Sequence, residues 1–261
     1  MGTQLLTNLS RLIVEPRRTE FRICLHNPPL NVIDIPMMEE LTQTLAEIEA
    51  RPDISTIILS GEGPNFSAGV DVAAHTPEKV ESMLAKFHGL IRLLVSSRKV
   101  TIAAVRGHCR GGGAELAMVC DLVYTTDNAQ WGFPEIKLGC YPPVAVAALA
   151  ALIGQKHAAD LVLTGRCITG TDAANIGLAN LAVPTAELGP AVKETVSRLC
   201  KLSPAVLAVT KKAIYTWDSM HFDKGLARAE KIYLDELMKT ADTQEGIRAF
   251  MEKRDPCWTG K

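Results

Sequence analysis

Aromatic residues are scarce, 5% of the 261 residues, and neither sign of charge dominates: 28 Lys and Arg face 29 Asp and Glu, a net charge of −1. A nucleic-acid-binding domain ordinarily carries a basic excess, and a disordered chain combines low hydrophobicity with high net charge. With 47% hydrophobic residues the chain fits neither class. The seven cysteines, at 24, 109, 120, 140, 167, 200 and 257, include no Cys-x-x-Cys pair. That spacing speaks against a disulfide framework or a zinc ribbon and predicts reduced thiols in a cytoplasmic protein. The longest apolar run, 144–153, is half of the roughly 20 residues a membrane helix takes. Residues 1–6 lack the charged and apolar regions of a signal peptide, and Leu6 breaks the myristoylation pattern. The six histidines show no H-E-x-x-H or comparable ligand spacing, and no G-x-x-x-x-G-K-[ST] run occurs. The expectation is a soluble protein with no membrane, nucleic-acid or metal partner.

At this length a folded chain hides roughly 70–75% of the surface its unfolded form exposes, so a full core needs no staples. Residues 11–15 and 19–25 read as paired strands joined by a turn at 16–18; Phe21, Ile23 and Leu25 alternate with Arg22 and Cys24. A helix is expected over 36–50, with Pro36 at its start and Met37, Leu41, Leu45 and Ile48 on one face. Further strands are expected at 54–59, 100–105 and 121–125, and helices at 77–95 and 114–119. Alternating strands and helices predict an α/β fold with a mostly parallel sheet. From Pro142 onward the patterns are helical, at 143–153, 155–163, 171–177, 186–201, 203–216 and 223–250, with few strand signals. The division expected is an α/β core over 1–200 and a helical region over 201–261, with no flexible linker between them.

Three stretches carry chemical signal. Gly111-Gly112-Gly113 opens a helix directly after a strand and its turn. Such a terminus bares backbone N–H groups with no intrahelical partner and favours an anion or a developing oxyanion; close helix–strand packing explains the glycines equally well. Glu115, one turn in, either faces the same space or simply suits a helix start. The loop Phe66-Ser67-Ala68-Gly69-Val70-Asp71 offers small residues and one more N–H for a ligand. Glu135 sits in Trp131-Gly132-Phe133-Pro134-Glu135-Ile136, where burial would raise its pKa toward neutrality and suit it to proton transfer; a salt-bridged or exposed glutamate is the alternative. His108 and Cys109 do not read as a nucleophile–base pair, since sequence neighbours on a strand point to opposite sides. Lys211 and Lys212 read as a solvated helix face.

Taken in order, these stretches resemble the crotonase (enoyl-CoA hydratase/isomerase) superfamily. The matching text runs from Asn65 to Asp71, Val105 to Ala117, Cys120 to Tyr124 and Phe133 to Gly139, then Leu163 to Arg166, Ala173 to Ala179 and Glu245 to Phe250. The resemblance implies a spiral of ββα units with C-terminal helices that mediate homotrimers, often stacked as hexamers. It implies an acyl-CoA substrate, no metal or redox cofactor, and an oxyanion hole whose two backbone donors fall on Val70 and Gly112. Hydratases of the superfamily carry two acids, here at Glu115 and Glu135; isomerases commonly keep the second alone. Ala68 and Asp71 fall at substrate-binding positions, and Phe250 and Lys253 match positions that touch the CoA adenine from a neighbouring subunit.

Two departures bear on the substrate. Where ordinary hydratases continue with a glycine-rich run, this chain reads Cys140-Tyr141-Pro142-Pro143, so that Tyr141 adds bulk and the prolines stiffen the wall below Glu135. A lysine frequent two residues after the aspartate of the first loop is Ala73 here. The segment from Pro134 through Pro143 is similar to cyclic dienoyl-CoA hydratases, which act on cyclohexa-1,5-diene-1-carbonyl-CoA in anaerobic aromatic degradation. The other activities open within the superfamily are straight-chain hydration, Δ3,Δ2-isomerisation, thioester hydrolysis and non-catalytic RNA binding.

Overall fold

Two strands begin the described chain, β1 (Leu12–Pro16) and β2 (Glu20–Leu25), paired antiparallel with Leu12 opposite Leu25. The computed structural model describes residues 9–17 and 19–259; the 1–6 stretch and Arg18 of the expected turn lie outside the described residues. In β2 the expected alternation holds, Phe21, Ile23 and Leu25 being buried. Helix α1 (Ile35–Glu49) starts where Asp34 caps it, accepting the Met37 amide at 3.0 Å. Its buried face includes Met37, Leu41, Leu45 and Ile48.

Strand β3 (Thr56–Gly61), helix α2 (Val80–Ser96), strand β4 (Val100–Val105) and strand β5 (His108–Arg110) follow. Next come α3 (Gly112–Met118), β6 (Leu122–Thr126) and β7 (Gln130–Gly132). Then the chain forms α4 (Pro143–Ile153), α5 (Gln155–Thr164), β8 (Cys167–Thr169), α6 (Gly170–Asn175) and β9 (Leu181–Val183). The last elements are α7 (Leu188–Leu199), α8 (Pro204–Asp235) and α9 (Ala241–Glu252). The larger sheet has the order β1-β2-β3-β4-β6-β9, parallel from β2 onward; β5, β7 and β8 form a second sheet.

A repeating unit explains both sheets. β4 gives a strand to the first sheet, β5 one to the second, and α3 follows; β6 and β7 repeat the step. The two preceding turns add only single bridges to the second layer, Ile33 with Val70 and Ser67 with Cys109. The result is a spiral of ββα units. Along β3, Ile57 and Leu59 enter the main core while Ile58 packs with Ile102, Leu188, Val192 and Val196 beneath α7. The larger sheet is therefore covered on both faces, as parallel strands require.

Several expectations need correction. β5, β7, β8 and β9 were not anticipated: at three residues each, they are too short for a period of two to register. The expected separation between 203–216 and 223–250 does not exist, because 217–222 contains neither proline nor glycine and α8 runs through it. The break falls instead at 236–240, where Thr240 caps α9 by accepting the Thr243 amide. Lys211 is buried, not solvated: its Nζ lies 2.7 Å from Asp121 Oδ2 and also donates to the Lys99 carbonyl. All seven cysteines are free. Among the described residues no helix is long and apolar enough to cross a membrane.

Candidate active site

The 66–71 loop is tied down on both sides, and the pattern of its ties singles out one amide. Ser67 N donates to the His108 carbonyl and Arg110 N to that of Ser67, strapping the loop to β5. Ala68 N donates to Leu30 O, Gly69 N to Ser67 Oγ, and Asp71 N to Ile33 O. Val70 N, in the middle of this run, has no protein acceptor among the described residues. The same holds across the gap: Gly111 N donates to Gly132 O and Glu115 N to Gly111 O, whereas Gly112 N opens α3 with no acceptor. A Cβ at position 112 would lie 3.4 Å from Val70 N and 2.5 Å from Val70 Cγ2. Two unpaired amides thus stand side by side at one cavity, and glycine is required at 112 to keep them so.

The cavity holds about 80 Å³, several times the roughly 10–15 Å³ that one water needs. Ala68, Val70, Gly112, Glu115, Glu135 and Tyr141, all anticipated from sequence, line it. Asp71 does not; its carboxylate accepts the Ala73 amide at 3.0 Å and caps a short 3-10 turn. Phe250 and Lys253, at the end of α9, stand exposed and away from the cavity. Phe87 and Cys140 also line the cavity, the first from the expected apolar face of the 77–95 helix and the second from the segment before the two prolines. His75, His88, Tyr233 and Ile247 complete much of the wall, and sequence reading gave no sign of them. Isolated side chains carry no local motif; His88 arrives on α2, Tyr233 on α8, Ile247 on α9 and His75 at the end of the short 3-10 turn.

Glu115 is 3% exposed, and its partner explains the two prolines. Pro142 and Pro143 have no N–H to offer, so the first free donors of α4 are the next amides. Ala145 N donates to Glu115 Oε1 at 2.9 Å. Burial raises the Glu115 pKa to about 7, while the amides of Ala145 and Val144 pull the other way by favouring the carboxylate. Glu135 follows the turn into the 134–138 3-10 segment, and its Oε1 lies over Gly111, where a Cβ would come within 2.6 Å. Its Oε2 is buried without a hydrogen-bond partner among the described residues. Burial, then the nearby Glu115 charge, push Glu135 well above the ordinary carboxylate range. At neutral pH the pair therefore divides its roles: Glu135 holds a proton and Glu115 is the member able to release one.

This environment has a cost in stability. A carboxyl whose folded pKa is raised from 4.5 to about 7 retains its proton longer in the folded chain, so stability is full below about 4.5 and is lost as pH rises to about 7. The loss amounts to about 3 kcal/mol. Glu115→Gln removes the ionisable group while its amide oxygen can still accept from Ala145. The variant is expected to show a stability gain over wild type that is absent at pH 4.5 and reaches about 3 kcal/mol at pH 8, measured by urea denaturation. An equal gain at both pH values would contradict the raised pKa.

The enoyl-CoA hydratase/isomerase family model matches residues 19–261. The chain is 34% identical over 240 residues to cyclohexa-1,5-dienecarbonyl-CoA hydratase of Thauera aromatica, covering 92% of this chain and 93% of that one. It is 33% identical over 245 residues to a probable enoyl-CoA hydratase of Bacillus subtilis, covering 92% and 95%. The crystal structure of an enoyl-CoA hydratase from Mycobacterium avium subsp. paratuberculosis superimposes with a TM-score of 0.87 at 25% identity, covering 97% of this chain and all of the other. The likeness runs along nearly the full length of the chain, and the chain belongs to the enoyl-CoA hydratase/isomerase family.

Proposed function

We propose that this protein adds water to an α,β-unsaturated acyl-CoA thioester, and that the acyl group is a cyclic diene. One observation carries the hydratase reading: two buried carboxyls of unequal proton affinity share a cavity with two unpaired amides. In this reading Val70 N and Gly112 N hold the thioester oxygen and stabilise the enolate that forms as the β-carbon is attacked. Glu115, as carboxylate, orients a water and takes its proton as the C–O bond forms. Glu135 then gives its proton to the α-carbon, and the enolate returns to the thioester. An isomerase moves a double bond with a single acid and leaves a buried Glu115 without a task.

The cyclic substrate is supported by the wall below Glu135, where Tyr141, Pro142 and Pro143 replace a flexible run, and by the likeness to the Thauera aromatica hydratase. Ala68 lines the cavity two residues before Val70, and Asp71 fixes the turn that follows. CoA belongs to the substrate, and the reaction needs no metal or redox group. The exposed Val206, Val209 and Ile214 of α8 support assembly through the C-terminal helices as a homotrimer or hexamer, in which Phe250 and Lys253 of one copy reach the adenine bound by another.

The test is a turnover screen of crotonyl-CoA against cyclic mono- and dienoyl-CoA thioesters in ¹⁸O-labelled water. The expected result is fastest label incorporation with the cyclic diene. Preference for crotonyl-CoA would overturn the cyclic assignment and leave hydration standing. Double-bond migration without label would replace it with isomerisation, release of free thiol with hydrolysis, and salt-dependent RNA binding without any turnover with a binding role.

A further inference from the structure

Three cavity-lining residues each hold a buried side-chain polar atom with no nitrogen or oxygen partner among the described residues: Glu135 Oε2, Tyr233 Oη and His88 Nε2. Buried polar groups are nearly always paired, so such orphans at a cavity ask what pairs them when it is filled. The proposed mechanism uses Glu135 and leaves Tyr233 without a role. Tyr233 is 1% exposed, and its ring packs edge-on against Tyr141 with centroids 5.2 Å apart. The α8 segment that carries it is pinned at two points. Tyr141 Oη donates to the Ala229 carbonyl at 2.5 Å, and the carboxylate of Glu230 is held by His88 Nδ1 at 2.7 Å and by Arg92 at 3.1 Å. The Cys140 thiol, a weak partner, lies beside the Tyr233 hydroxyl. A phenol fixed this firmly, buried and without a nitrogen or oxygen partner among the described residues, is placed for a ligand and not for packing alone.

We infer that the Tyr233 hydroxyl, together with Glu135 Oε2, clasps the oxygen that hydration adds to the acyl group, making Tyr233 a specificity-determining residue for hydroxylated over plain hydrocarbon acyl chains. The inference rests on the hydratase reading of the same cavity. A hydroxyl can accept from Tyr233 Oη–H and donate its own proton at once. Glu135 becomes a carboxylate when it has protonated the α-carbon, so the acceptor for that proton arises in the product complex. Burial pushes the Tyr233 phenol above its ordinary value, and it remains a donor throughout. A saturated hydrocarbon of the same shape would leave both oxygens unpaired.

The test compares binding of matched pairs by titration calorimetry: 3-hydroxybutyryl-CoA with butyryl-CoA, and 2-hydroxycyclohexane-carbonyl-CoA with cyclohexane-carbonyl-CoA. In Tyr233→Phe the hydroxylated member of the preferred pair is expected to bind roughly three- to tenfold more weakly, the net worth of one hydrogen bond, while its deoxy partner binds as to wild type. Equal weakening of both members would mark Tyr233 as structural, and no weakening of either would leave its hydroxyl without a ligand; each overturns the inference. Replacement of Tyr233 by 3-fluorotyrosine, a stronger donor of nearly the same size, keeps the question open to experiment if the phenylalanine variant does not fold. It should strengthen the hydroxyl preference, and an unchanged preference counts against the clasp. Failure of the hydratase reading itself looks different: the wild-type protein would hydrate no enoyl-CoA at all.

Discussion

Glu115→Gln and Glu135→Gln are each expected to lower hydration by about 10²–10⁴-fold, or roughly 3–5 kcal/mol of transition-state stabilisation, with binding of a saturated acyl-CoA retained. The two losses have different origins. Glutamine at 115 can still accept from Ala145 N but cannot take a proton from water. Glutamine at 135 keeps the shape over Gly111 but has no proton of suitable acidity for the α-carbon. The pH profile separates them. With the Glu115 pKa at about 7, wild-type kcat/KM should climb as pH rises through neutrality, because the base must be ionised. Glu135→Gln should keep that climb at its reduced level, since burial is the first cause of the Glu115 shift and a glutamine, like a protonated Glu135, puts no charge beside it. Glu115→Gln should lose it. Steady-state kinetics across pH 5–9 provides the check, and full activity in either variant would sink the two-carboxyl mechanism.

How far such a site can be read from sequence depends on what kind of signal each part leaves. Glu115 and Glu135 stand beside short motifs, and Gly112 within one, so their positions were legible together with the loop that bears Val70. The helices were legible where one face is buried: α1 places Met37, Leu41, Leu45 and Ile48 inside as periodicity predicts. What escaped was non-local. The unpaired state of Val70 N follows only from the acceptors that its neighbours find on residues 30 and 33 and on β5, none of which the loop itself encodes. Tyr233 lies 98 residues beyond Glu135 in sequence, within the helical pattern expected at 223–250, and belongs to the site only through the packing of α8 against the cavity. Lys211 misled for a related reason: its charge reads as a solvent-facing residue until Asp121, at the start of a distant strand, is seen to meet it. The prolines at 142 and 143 were legible as stiffeners, but not as the device that turns the first amides of α4 onto Glu115.

Gly112→Ala should produce the other large effect, a loss of about 10²–10³ in kcat, the measured scale for removing one oxyanion-hole donor. The added Cβ would meet Val70 Cγ2 at 2.5 Å and Phe87 Cζ at 3.2 Å, so a buried contact must give way. Val70 cannot simply retreat, since Gly69 O and Asp71 N on either side are bonded to Ile33. Overpacking of this kind typically destabilises by about 1–3 kcal/mol. Two consequences are thereby mixed, a strained core and a crowded pair of amides, and a second substitution separates them. Val70→Ala removes Cγ2 but leaves the backbone donor at 70 in place. Combined with Gly112→Ala it should recover most of the lost stability, because the 2.5 Å contact is gone. It should not recover the rate, because the methyl at 112 still stands 3.4 Å from Val70 N, in the space a thioester oxygen must occupy to reach both amides. Thermal denaturation and steady-state turnover on the three variants distinguish these outcomes. Restoration of both properties together would mean that the glycine serves packing alone, and that the two amides do not act on the substrate.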